Sequence, residues 1–496
     1  MTQEQLILGA TVLVAPLTRI INSSIIEGKF PDEWKGAIVT PILKKGDPKT
    51  KENYRPVSCL QVASKVLEKV VNDQMSNYME KNNLLPQNQH GFRPRRSTMT
   101  ALSAMQQEWS NNTEKGKKTG ILLWDLSAAY DTVNPDLFVE KAKLYGASEL
   151  TCDWFRSFMS GRSQKVKIGQ TISERMDINV GVPQGGILSP LIFIIFGADL
   201  EDWIKHSHAF TYADDTQTNC SGNTDKEVIL KLEEDAIDVL EFMASNGLVA
   251  NPNKTVFMMM NSKNITGKKR MVNIDGAEVT ESDHSKLLGM NIDSKQNWKE
   301  HVLGKSGLVS TLNSNIYCIR RLGSHITKDK QLQVAHSLWM SHLRYGLQLY
   351  SRVRTNNEDP ENELMTILQK AQNRLLRVLT ENKLKDKVKI QDMLEQCKML
   401  SVNQIAAQVK LTEMWKASNI EDYPIKITNR NNEERTQTRG VVRGDLEITG
   451  ISSSSCKSFV GSASRLWNKA PECVKVAKTL DAAKKQINLY CKMLPV

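Results

Sequence analysis

Two adjacent carboxylates, Asp214 and Asp215, interrupt the apolar run Ala209-Phe210-Thr211-Tyr212-Ala213-Asp214-Asp215-Thr216-Gln217. The pattern predicts a β-hairpin with both acids at its tip. Side-by-side carboxylates repel one another, and hard divalent cations offset such charge. A third acid, Asp125, ends the apolar stretch Ile121-Leu122-Leu123-Trp124. Carboxylates from separate strands can hold two divalent ions about 4 Å apart, one lowering the pKa of an attacking hydroxyl and the other steadying a leaving pyrophosphate. That is the chemistry of phosphoryl transfer. Taken alone, the Asp214-Asp215 pair suits a solvated turn as well, since Asp is common there.

Such a site needs rigid elements behind it. The segment Ile121 to Trp124 reads as a buried strand, and Gly181-Val182-Pro183-Gln184-Gly185-Gly186 as a loop whose glycines let backbone come close to a ligand before an apolar helix, Pro190 to Trp203. The run Asn88-Gln89-His90-Gly91-Phe92-Arg93-Pro94-Arg95-Arg96-Ser97-Thr98 gathers three guanidiniums and two hydroxyls around one turn before a helix. Arg forks beside a helix N-terminus match phosphate oxygens, so Arg93, Arg95 and Arg96 are candidates for a triphosphate, with a solvated basic loop as the alternative. On a helix from Leu364 to Leu379, Lys370, Arg374 and Arg377 flank an apolar stripe. They could track a nucleic-acid backbone or simply face water.

The order of Trp124-Asp125-Leu126-Ser127-Ala128-Ala129-Tyr130, Gly181-Val182-Pro183-Gln184-Gly185 and Tyr212-Ala213-Asp214-Asp215 resembles the reverse transcriptase of non-LTR retrotransposons. The resemblance covers Phe30 to Asp293 strongly. It implies an α+β right-hand polymerase, with fingers and a palm carrying an antiparallel sheet over residues 30–300, a helical thumb and connection over 301–417, an N-terminal helical extension over 1–29, and a linker with a small, mostly helical C-terminal module over 418–496. It further implies that Asp125, Asp214 and Asp215 hold two Mg²⁺ ions, Mn²⁺ being an alternative. Tyr130 would lie beneath the nucleotide sugar and clash with a ribose 2′ hydroxyl, although a ring there also suits core packing. Gln184 and Gly185 would meet the incoming nucleotide, Lys254 would protonate the leaving pyrophosphate or remain a solvated charge, and Tyr212 and the turn at Gly289 would hold the primer and template. The expected activity is RNA-directed DNA synthesis from a primer 3′ hydroxyl, with RNA template, DNA primer or target and deoxynucleoside triphosphates as partners. A group II intron maturase or telomerase-like polymerase, or a silent relic that only binds nucleic acid, are the rivals.

Composition agrees. The chain has 496 residues, 40% hydrophobic and 24% charged, enough for a large core in two to four units, and its net charge of +11 favours a polyanionic partner. Eight cysteines are scattered without a C-x-x-C pair or clustered histidines, which argues against a zinc site or a disulfide framework and suits a reducing compartment. The apolar stretch Leu6 to Leu17 is too short to span a bilayer, so no membrane role is expected. The implied role places the protein inside the cell, in the nucleus with a cytoplasmic ribonucleoprotein phase. No internal repeat, upstream endonuclease segment or ribonuclease H pattern is found.

Further elements are legible. One amphipathic helix is expected over residues 1–29, another over Asp225 to Ser245 with Val228, Leu232, Ile237 and Leu240 inward, and a helix from Val402 opened by a Ser401/Gln404 capping box. Most of Asn429 to Ser455 reads as a mobile linker.

Overall fold

A computed structural model describes residues 3–44, 46–127, 129–250, 254–261, 268–427, 445–446 and 458–496. The expected linker Asn429 to Ser455 lies almost wholly outside them, as do Ala128 of the Asp125 motif and Asn251 to Asn253 beside Lys254.

The centre is a four-stranded antiparallel sheet in the order Val256–Met260, Lys118–Trp124, Asp215–Gly222, Ser207–Tyr212. The strand Lys118–Trp124 is buried at six consecutive residues, so it is covered on both faces rather than alternating. The helix Asp225–Ser245 covers one face and the helix Thr98–Glu114 the other. The first cover is close: a Cβ on Gly120 would lie 2.6 Å from Val228 and 2.7 Å from Leu232.

A second sheet is built on Gly36–Leu43, which pairs antiparallel with Tyr54–Cys59 and parallel with Arg162–Ile168. The last strand also pairs with Met176–Ile178 and Thr171–Ile172. Beyond the hairpin His284–Leu287 and Met290–Asp293 the chain is helical, with Leu308–Gly323, Glu363–Thr380, Val402–Asn419, Phe459–Lys469 and Leu480–Lys492 as its longest pieces. The fold is therefore mixed, helices and antiparallel sheet. Among the described residues no helix is long and apolar enough to cross a membrane.

Several expected elements form with altered detail. The capping box forms in both directions: Gln404 N–H donates to Ser401 Oγ at 3.3 Å and Ser401 N–H to Gln404 Oε1 at 3.0 Å. The N-terminal helix is two pieces, Gln3–Leu8 and Ala10–Glu27, closed by Gly28 at φ 63°. Only Ile21 and Ser24 are buried in it, and Ile20 is exposed. The helix Asp225–Ser245 has the expected bounds, but Ile237 faces out and Ala236, Val239, Phe242 and Met243 face in, because the sheet contact rotates the buried face by one residue. The apolar helix after the glycine loop stops at Phe196 and resumes as Leu200–Trp203. The two C-terminal helices pack on Val402–Asn419 and share one core with it. Their tie to the central sheet runs through Phe459, whose N–H donates to Gln106 Oε1 at 3.0 Å.

Candidate active site

The strands Ser207–Tyr212 and Asp215–Gly222 are joined by Ala213 and Asp214, with Ala213 buried in the left-handed region at φ 57°. The tip is clamped from outside. His90 N–H donates to Thr211 O at 2.8 Å and Thr211 N–H to Asn88 O at 3.1 Å, so the loop runs along the sheet edge like a short extra strand. It can approach only because Gly91 lacks a side chain: a Cβ there would sit 2.4 Å from the Ala213 nitrogen.

Sheet register brings the third carboxylate to the tip. Trp124 pairs with Thr216, so the next residue, Asp125, falls opposite Asp215. On the other side Val256 pairs with Leu123, which carries Lys254 opposite Asp125, and Lys254 Nζ reaches Asp125 Oδ2 at 3.1 Å. The electrostatics report the gathering: the Asp215 carboxyl is pushed above its ordinary range by burial, then by Asp214 and by Asp125, with the Arg55 guanidinium opposing them. Asp215 nonetheless keeps solvent access, so the repulsion is screened rather than that of a dry interior.

Tyr130 stands on the same floor. Its ring stacks on Phe193 of the helix Ser189–Phe196, with centroids 5.2 Å apart and planes at 21°. Burial first, then Asp214, push its hydroxyl up to about 12, and Arg55 again opposes. The glycine loop is fastened to this floor, since Val182 N–H donates to Tyr130 O at 2.8 Å and Gly181 N–H to Val133 O at 2.8 Å. Gln184 Nε2 donates to both oxygens of Asp131, at 3.0 and 3.1 Å, and Gln184 O accepts from Ser58 N–H at 2.8 Å. Gly185 holds φ 136°, where a Cβ would meet Ser58 O at 2.5 Å. A cavity of about 450 Å³ opens beside Asp131, Val182, Gln184 and Arg162.

Arg93, Arg95 and Arg96, expected to receive a triphosphate, are bonded within the protein. Arg93 is buried and forks onto Glu80, with Nε to Oε1 at 2.7 Å and a terminal nitrogen to Oε2 at 2.8 Å, while its remaining nitrogen donates to Pro86 O at 2.5 Å. Arg95 donates to Glu421 O at 2.8 Å, and Arg96 to Gln87 O. Their guanidiniums brace the loop that clamps the hairpin. Arg55, on the strand Tyr54–Cys59, is the guanidinium whose charge reaches Asp215 and Tyr130.

Glu68 is a second residue that sequence reasoning missed. It is fully buried on the helix Val62–Lys81 and accepts from Ile187 N–H at 2.7 Å and Leu188 N–H at 3.3 Å, where the helix Ser189–Phe196 begins. A carboxylate there satisfies orphan helix N–H groups and suits the positive end of the helix dipole. Burial pushes the Glu68 carboxyl up, the two backbone bonds and Arg162 pull it down, and the net shift is upward. Its one sequence signal is a charged residue beside Leu67 on the buried stripe.

The remaining candidates lie apart from one another. Tyr212 pairs opposite Asp215 in the hairpin, with Phe92 6.5 Å from its ring. Leu288 and Gly289 make a two-residue turn at φ 45° and 81°, the left-handed pair a tight hairpin needs, and Tyr345 Oη donates to Leu288 O. Lys370 and Arg374 are exposed on the helix Glu363–Thr380, with Arg374 3.2 Å from Asn313, whereas Arg377 is half-buried.

Three hard carboxylate donors at one sheet end fit divalent cations in type. Among the described residues, however, no three His, Cys, Asp or Glu side chains stand as a ready cage. Asp125 is turned to Lys254, as expected of carboxylates whose charge nothing else neutralises.

The chain belongs to the reverse transcriptase (RNA-dependent DNA polymerase) family, whose model matches residues 42–292, just over half of it. Members of this family use divalent metal ions. Among known proteins it is similar to the probable RNA-directed DNA polymerase from transposon BS of Drosophila melanogaster, at 24% identity over 75% of this chain and 42% of that protein. It is likewise similar to the RNA-directed DNA polymerase from mobile element jockey of the same organism, at 24% identity over 70% of this chain and 39% of that protein. The chain thus spans about two fifths of the length of these relatives. The resemblance to non-LTR reverse transcriptases read from the motifs is borne out. Among solved structures, the chain is similar to apo telomerase from Candida tropicalis, at TM-score 0.39 and 11% identity, covering 80% of this chain and 67% of the other.

Proposed function

We propose that this chain is an RNA-directed DNA polymerase of a non-LTR retroelement, adding deoxynucleotides to a primer 3′ hydroxyl on an RNA template. The observation that carries the reading is the meeting of Asp125, Asp214 and Asp215 at one end of the central sheet, where their charges bear on one another. On this reading the second sheet belongs to the fingers, the central sheet to the palm and the helices after Leu308 to the thumb.

Asp125, Asp214 and Asp215 would hold two Mg²⁺ ions, which when bound supply activation of the attacking hydroxyl and charge stabilisation of the leaving pyrophosphate. The chain's own groups do the rest. Tyr130, held flat by Phe193, offers a ring edge to the sugar and excludes a 2′ hydroxyl by size. Arg55 takes the triphosphate role first given to the arginine cluster, because its charge already acts on this floor. Gln184 is fixed by Asp131 and by its backbone bond from Ser58, so it meets a nucleotide with little rotamer entropy left to lose. Lys254 lets go of Asp125 and gives one of its ammonium protons to the leaving pyrophosphate. The Gly289 turn supports the primer end, while exposed Lys370 and Arg374 follow the duplex backbone.

Extension of oligo(dT) on poly(rA) tests the reading, with Asp214→Asn as control. Activity in the parent alone supports it. Template binding without extension in both proteins favours the silent relic.

A further inference from the structure

A cavity of about 280 Å³ lies far along the chain from the carboxylates, between the loop after Tyr350, the helix Val402–Asn419 and the helix Phe459–Lys469. Its lining holds five basic side chains, Arg352, Arg354, Lys410, Arg465 and Lys469, against two carboxylates, Asp359 and Glu361. Lys410 forms its base and is only 1% exposed. Its Nζ donates to Ser462 Oγ and lies 6.0 Å from the Phe459 ring, and among the described residues no carboxylate pairs with it.

Burying an ammonium without a counter-charge is costly, so such a group either sheds its proton or gains an anion. Burial and the Arg352 charge pull the Lys410 pKa down to about 7, so the two options are closely balanced. The two carboxylates of the lining face its other cations rather than Lys410: the Asp359 charge acts with Lys469, whose Nζ donates to Thr355 Oγ1 at 2.8 Å. Asp359 accepts from Thr355 N–H at 2.6 Å, Thr355 Oγ1 at 2.8 Å and Asn356 N–H at 3.2 Å, and Glu361 faces Arg354 at 3.4 Å. Arg354 meanwhile keeps a buried Nε without a partner.

The geometry points to an anion site that takes one phosphate group, with Lys410 at its base and Arg352 and Lys469 at its exposed rim. Cavities for drug-sized ligands span roughly 300–1,000 Å³, so this one suits a phosphate with some water rather than a whole nucleotide. Two sources share that chemistry, a backbone phosphodiester of bound RNA and free phosphate.

The test uses the full chain and inorganic phosphate as probe, followed by thermal unfolding against potassium chloride of equal ionic strength. Sulfate and phosphate stabilise proteins generally, so the comparison is between the parent and the rim variant Arg352→Ala/Lys469→Ala. A saturable rise in Tm in the parent, with apparent affinity weakened roughly tenfold or more in the rim variant, supports the site. Lys410→Met should abolish the saturable response, and where it fails to fold the rim variant still decides. A second arm measures the salt dependence of binding to a single-stranded RNA without terminal phosphates. A slope smaller by about 0.7 in the rim variant assigns the site to a backbone phosphate, and an unchanged slope alongside a phosphate response weakened in the rim variant assigns it to the free ion. Identical behaviour of parent and rim variant in both arms overturns the proposal. The phosphate arm needs no polymerase activity, so its failure is distinct from failure of the polymerase reading.

Discussion

Replacing Asp215 by Asn should stabilise the metal-free protein while abolishing synthesis. Residues directly opposite in an antiparallel pair have Cβ atoms about 5 Å apart, which sets the charges of Asp125 and Asp215 on the order of 6 Å apart. In water a pair at ~6 Å repels by about 0.7 kcal/mol. Asp214 contributes a second such pair, Arg55 opposes both, and solvent access to Asp215 screens them all, leaving about 0.5–1 kcal/mol of net relief. The sign in pH follows from the upward shift of Asp215 from 3.8. A carboxyl raised in the folded state contributes stability that is complete below its unfolded value and is lost as pH rises through its folded value. The metal-free parent should therefore lose stability across the window just above pH 3.8, and the variant should lack that component. Millimolar Mg²⁺ should raise the parent's Tm and barely move the variant's. Extension should fall about 10³-fold or more, as expected for several kcal/mol of lost transition-state stabilisation. Thermal melts with and without Mg²⁺, paired with single-turnover extension, measure all of this. Lower metal-free stability in Asp215→Asn, or a variant that keeps the parent's Mg²⁺ response and rate, would refute the reasoning.

Other substitutions probe the supporting parts. Tyr130→Ala should fold and raise ribonucleotide use relative to deoxynucleotide use by roughly tenfold or more, read from kcat/KM for the two substrates, and an unchanged ratio would return the ring to a packing role. Glu68→Ala leaves the Ile187 and Leu188 N–H groups without their acceptor, so stability near neutral pH should fall by about 1–3 kcal/mol in urea melts, whereas Glu68→Gln keeps an accepting oxygen and loses only the buried charge. Because burial raises Glu68, the parent carries a component of stability lost as pH climbs above 4.5, and the pH profile of the Gln variant should be flatter there. Gly185→Ala forces a Cβ toward Ser58 O at 2.5 Å and a left-handed strain, so extension should drop through KM for the nucleotide even where Tm falls only modestly.

What the sequence made legible was local or in register. The alternating run around Asp214 and the apolar strand before Asp125 fixed the hairpin and the sheet, and pairing alone then carried Asp125 and Lys254 to the tip. The Ser401 capping box is readable because both partners lie within four residues. The partners of the arginine cluster were not legible, because a guanidinium suits a phosphate, a carboxylate or a carbonyl equally, and only the fold brings Glu80 to Arg93. Glu68 was hidden because its partners are backbone N–H groups more than a hundred residues away. Ile237 turned outward because the helix meets the sheet through a neighbouring stripe that periodicity cannot distinguish.

The bond from Phe459 to Gln106 joins positions 353 residues apart, and Gln106 lies on the helix that backs the Asp125 strand. During synthesis on the ribosome Gln106 must wait for this partner until Phe459 has emerged. A product truncated before Phe459 would therefore leave that face of the helix without its C-terminal cover.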